Sequence, residues 1–106
     1  MSNKSDFFEI LRKINNSQKI TQRELASDLN FSLGKLNYCL KALQKKGYVK
    51  ISNFKKNPNK IKYMYLLTPK GIAQKTKLTI LFMKKKIKEY DELKKELKDH
   101  KNQNRY

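Results

Sequence analysis

The run Ser32-Leu33-Gly34-Lys35-Leu36-Asn37-Tyr38-Cys39-Leu40-Lys41 sets an amide, a phenol, a hydroxyl and two ammonium groups among leucines at helical spacing. If Leu36, Leu40 and Leu43 form one apolar stripe facing a core, helical geometry turns Ser32, Lys35, Asn37, Tyr38 and Lys41 to the other side, with Leu33 and Gly34 at the N-terminal tip. These groups suit the edges of a nucleic-acid duplex. An Asn side chain pairs bidentately with adenine and a Lys donates to the acceptors of guanine. Tyr38 offers its hydroxyl to a phosphate or its ring to a thymine methyl. A second cluster, Lys55-Lys56-Asn57-Pro58-Asn59-Lys60, has turn composition. There Lys55, Lys56, Asn59 and Lys60 are expected to reach phosphates or a minor groove, giving affinity with little sequence information.

Each group has a plainer role to weigh. Lys41, Lys45 and Lys46 also complement the negative end of a helix dipole, and Tyr38 also has surface to pack against its own domain. Gly34 inside a helix costs roughly 1 kcal/mol relative to Ala, and close approach either to the preceding helix or to a DNA backbone would compensate.

Catalytic chemistry has no visible machinery. The one histidine, His100, stands in a polar tail, and with the one cysteine it cannot assemble a zinc site. There is no Gly-rich phosphate loop and no nucleophile with a base beside it. No enzyme, no metal and no cofactor are expected, and Cys39, beside the leucine stripe, reads as a small packed residue.

The charge balance points the same way. Lys and Arg number 26 against 9 Asp and Glu, a formal charge of +17 in 106 residues, which favours a polyanionic partner. The acids lie only at the ends, Asp6, Glu9, Glu24 and Asp28, then Glu89, Asp91, Glu92, Glu96 and Asp99. From Leu29 to Lys88 there is none, although the segment holds Lys35, Lys41, Lys45, Lys46, Lys50, Lys55, Lys56, Lys60 and Lys62. A single cysteine permits no intramolecular disulfide, and no apolar leader opens the sequence, so a cytoplasmic compartment is expected. The longest apolar stretch, Leu78 to Met83, is too short to cross a bilayer.

The elements that must position these residues follow from capping signals and period. Asp6 with Glu9 starts a helix carrying Phe7, Phe8, Leu11 and Ile14, ending near Asn15-Asn16. Thr21 with Glu24 forms a capping box for a short helix that Asn30 breaks. Ser32 caps a third helix, and Gly47 ends it. Tyr48, Val49, Ile51 and Phe54 then read as one strand and Ile61 to Leu67 as another, a hairpin whose tip is the lysine cluster. Thr68-Pro69 opens a last helix to about Lys98, with residues 102–106 frayed. In it Thr76, Ile80, Met83, Ile87, Tyr90 and Leu97 alternate spacings of four and three, interrupted by Lys94 at a seam position. Folding back on its own domain would use Ile72 and Ala73 but leave the distal half uncovered. A homodimer through Ile80, Met83, Ile87, Tyr90 and Leu97 is therefore expected. The fold class is mainly α with a small β-hairpin (α+β), a winged helix-turn-helix in 1–71 followed by a long C-terminal dimerisation helix in 72–106.

The residues resemble the MarR-type winged-helix regulators, and closely a short subgroup associated with exopolysaccharide synthesis. The resemblance spans roughly Phe7 to Asp99 and rests on the runs TQRELA at 21–26, SLGKLNYCLKAL at 32–43, KGYVK at 46–50 and YLLTPKGIA at 65–73. It implies DNA binding by the third helix and wing, through Ser32, Lys35, Asn37, Tyr38 and Lys41, and control of nearby polysaccharide genes. Two departures stand out. The wing lacks the usual Asp-x-Arg pair, so no internal bond of that kind braces it. The C-terminal part is shorter, which leaves dimerisation to one long helix and gives no basis for naming a small-molecule effector. The expected function is thus sequence-specific regulation of transcription on double-stranded DNA. The alternatives are a basic RNA-binding or ribosome-associated winged helix, and a membrane-surface protein anchored by Leu78 to Lys88.

Overall fold

The computed structural model describes the backbone of residues 4–16, 20–57 and 60–103, and the side chains of these residues except 53–63 and 103. Its elements are α1 (Lys4–Asn16), β1 (Ile20–Thr21), α2 (Gln22–Leu29), α3 (Leu33–Lys45), β2 (Val49–Asn57), β3 (Lys60–Leu67) and α4 (Pro69–Gln103). The chain divides into two compact units, Met1–Thr76 and Lys77–Tyr106.

The first unit is built on three amphipathic helices. α1 buries Ile10, Leu11 and Ile14, α2 buries Leu25 and Ala26, and α3 buries Leu36, Cys39, Leu40 and Leu43. α1 packs against α2, α3 and β3, and α2 packs against α3. Ile20, Val49, Met64 and Tyr65 of the sheet complete the core. Burial pushes the Tyr65 phenol above its ordinary pKa, so it stays protonated and donates to Gln22 Oε1 at 3.2 Å, tying β3 to the start of α2.

Local chemistry fixes the helix ends. Thr21 Oγ1 accepts from the Glu24 amide at 3.3 Å and donates to Glu24 Oε1 at 3.0 Å, a variant of the capping box in which the carboxylate meets the hydroxyl. Asn30 ends α2 in the left-handed region at φ 57°, a conformation Asn tolerates better than most residues. Ser32 Oγ accepts from the Lys35 amide at 3.1 Å and starts α3. At the other end Gly47 takes φ +80°, its N–H bonds the Gln44 carbonyl at 2.9 Å and the Tyr48 N–H bonds the Leu43 carbonyl at 3.0 Å. This is a Schellman motif.

The sheet is three-stranded and antiparallel in the order β1-β3-β2, one strand more than the expected hairpin. Ile20 pairs with Tyr65 and Thr21 with Met64. The hairpin register runs from Val49 opposite Leu67 to Asn57 opposite Lys60, with an irregularity between Lys55 and Asn57. Lys55, Lys56 and Lys60 therefore lie in strands rather than in a loop, because backbone pairing continues through a run whose side chains read as turn chemistry.

Thr68 joins two helix ends. Its hydroxyl donates to the Gly47 carbonyl and accepts from the Gly71 amide at 2.9 Å, while its own N–H bonds the Tyr48 carbonyl at 3.0 Å. Gly71 is required here: a Cβ would collide with the Tyr48 carbonyl oxygen. Ile72 and Ala73, the residues a folded-back helix would use, are both exposed.

α4 runs to Gln103, past the expected end near Lys98, since no Gly or Pro after Gly71 breaks it. Its Ile80, Met83, Ile87, Tyr90 and Leu97 are all about half exposed or more. The Thr76 hydroxyl is satisfied by the Ile72 carbonyl at 3.0 Å. Among the described residues no helix is long and apolar enough to cross a membrane.

Candidate nucleic-acid interface

α3 has two faces of opposite character. Leu36, Cys39, Leu40 and Leu43 are almost wholly buried, while Ser32, Leu33, Gly34, Lys35, Asn37, Tyr38 and Lys41 are all exposed. The buried face is the stripe that period alone predicts, and the exposed face is the set of groups suited to base edges and phosphates. Its apolar members are uncovered as well, Leu33 by 54% and Tyr38 by 63%. Tyr38 therefore leaves most of its surface uncovered by its own domain.

Gly34 is informative for a different reason. A Cβ built there meets nothing within 4 Å, so close approach to α2 does not account for the glycine. Among the described residues there is no steric reason for it.

Lys35 is less free than the sequence suggests. Its ammonium lies 3.4 Å from Asp6 Oδ1 and 4.1 Å from the centre of the Phe31 ring. Asp6 is the better buried partner, its side chain 17% exposed against 41% for Lys35. The pair ties the N-terminal turn of α3 to α1, and Lys35 must leave it or share it to touch a duplex. Lys46 also lies near an aromatic face, 5.6 Å from the centre of Phe7, and like Lys41 and Lys45 it is exposed.

The hairpin lysines are only partly described. The backbones of Lys55, Lys56 and Lys60 lie at the end of the hairpin pairing, where Asn57 stands opposite Lys60. The side chains of these three residues, and Asn59 entirely, lie outside the described residues.

Sequence reasoning passed over Arg23. It is exposed in the first turn of α2, the helix that in a helix-turn-helix crosses the phosphate backbone. A cation at a helix N-terminus opposes the local dipole, and that mismatch is the signal that would have marked it. Cys39 is buried, as its place beside the stripe predicts. Among the described residues no group of three or more His, Cys, Asp or Glu could hold a metal ion.

Residues 8–50 match the family model for winged helix-turn-helix DNA-binding. No curated protein matches the sequence. Among solved structures, a PadR-like transcriptional regulator from Bacillus cereus superposes with TM-score 0.75 at 19% identity, covering 82% of this chain and 89% of that one. MarR from E. coli, without ligand, superposes with TM-score 0.60 at 32% identity, covering 68% of this chain and 52% of that one. A mutant of that MarR complexed with operator DNA gives TM-score 0.60 and 32% identity, over 68% of this chain and 50% of that one. The aligned part thus spans about half the length of MarR.

Proposed function

Because the chain carries a winged helix-turn-helix DNA-binding domain and its structural neighbours are MarR- and PadR-type transcriptional regulators, we propose that it is a homodimeric, sequence-specific regulator of transcription rather than a catalyst. α3 occupies the major groove, and the strands around Lys55, Lys56 and Lys60 lie along the backbone or the adjacent minor groove. The observation that carries this reading is the uncovered face of α3, with Leu33, Gly34, Asn37, Tyr38 and Lys41 exposed opposite a fully buried stripe, inside a stretch free of acids from Leu29 to Lys88. The operator complex of the MarR mutant supports the choice of a duplex as ligand.

In this reading Asn37 pairs with a base edge, Leu33 and Tyr38 contact thymine methyls, and Gly34 lets the tip of α3 approach the backbone closely. Lys41 and the hairpin lysines neutralise phosphates and release counterions. Two copies place their α3 helices in successive major grooves, with half-sites about one turn, roughly 10 bp, apart. Control of polysaccharide genes rests on the sequence resemblance alone and belongs to the same proposal, as does a cytoplasmic location.

The test is duplex selection from a random library followed by titration at several salt concentrations. Asn37→Ala should cost about 1–3 kcal/mol on the selected site and nothing on random duplex. Lys60→Ala should weaken both equally and flatten the salt slope by about one unit. If Asn37→Ala leaves both duplexes unaffected, α3 is not the reading element. Equal competition by folded RNA would move the function to RNA.

A further inference from the structure

In the second unit an apolar stripe and a block of charge lie on the same helix. Ile80, Met83, Ile87, Tyr90 and Leu97 follow a seven-residue repeat in which Lys94 takes one seam place, and in the single chain Ile87 is 56% and Tyr90 64% exposed. From Lys77 to Lys88 the only charged residues are lysines, whereas all five C-terminal acids, Glu89, Asp91, Glu92, Glu96 and Asp99, lie beyond.

Resting on the homodimeric reading above, we infer that the distal half of α4 pairs antiparallel with a second copy of itself, the two-fold axis passing beside Lys88 and Glu89. In a parallel pair each seam residue meets its own copy. Lys94 would then face Lys94 of the other chain in the apolar layer, and the lysine block would lie alongside the other lysine block. Both are like-charge contacts at short range. The antiparallel register exchanges them. Ile80 opposes Leu97, Ile87 opposes Tyr90, and Lys94 lays its methylene stem on Met83 with the ammonium free to reach water. Lys84 flanks Asp91 of the other chain, and each lysine block faces the acid-bearing end. This register covers the whole stripe from Ile80 to Leu97 and leaves none of it in water.

The test uses the full chain carrying either Ile80→Cys or Leu97→Cys, oxidised with copper–phenanthroline, with the native chain and its buried Cys39 as control. A mixture of the two variants should give a disulfide-linked dimer, and each variant alone should stay at the level of the native chain, because like positions then lie roughly 25 Å apart along the helices. Cross-linking of Leu97→Cys with itself overturns the antiparallel arrangement while leaving a homodimer standing. A monomer at micromolar concentration in sedimentation equilibrium overturns both. As a second measurement, Lys84→Glu should raise the dimer dissociation constant several-fold and the added change Asp91→Lys should restore it. Failure of that restoration counts against the register.

Discussion

α3 and the distal half of α4 are written with similar apolar repeats, yet only one repeat is covered within the chain. The leucines of α3 are buried by α1, α2 and the sheet, which fixes the helix in rotation and thereby decides which polar groups face out. The stripe of α4 from Ile80 onward is left in solvent. A covered stripe defines a working surface on its opposite side, whereas an uncovered one is itself the surface.

The contrast is sharpest in truncation. Leu40→Ala should cost about 2–5 kcal/mol of stability, seen as a fall in Tm that does not depend on protein concentration. Ile87→Ala should leave the first unit's unfolding unchanged at high dilution and lower Tm only where the native chain is dimeric. Equal, concentration-independent losses at both positions would erase the distinction between the two helices.

The next effect in size compares two glycines. Gly71→Ala drives a methyl into the Tyr48 carbonyl, and thermal unfolding should show a loss of about 1–3 kcal/mol or more. The smallest effect has the opposite sign. Gly34→Ala enters open space and should stabilise α3 by about 0.5–1 kcal/mol while weakening duplex binding in the same titration used for Asn37. If it stabilises and binding is untouched, the glycine has no role at an interface.

What the sequence reveals follows from how local its causes are. The caps at Thr21, Ser32 and Gly47 are legible because donor and acceptor lie within a few residues of each other, and the outward face of α3 follows from period once its leucines are assigned to a core. β1 is not legible, since two residues become a strand only because β3 offers an edge far along the chain. The Lys55–Lys60 run is misleading for a related reason: its composition says turn, and the pairing with the opposite strand keeps most of it extended. The engagement of Lys35 with Asp6 is invisible for the same cause, being a contact between α1 and α3 that only the packed helices create.

Thr68 gives the first unit a mechanical property. With its hydroxyl shared between Gly47 and Gly71 and its amide held by Tyr48, no slack segment separates the carboxyl end of α3 from the base of α4. A displacement of that base must therefore either break these bonds or carry the segment just after α3 along with it.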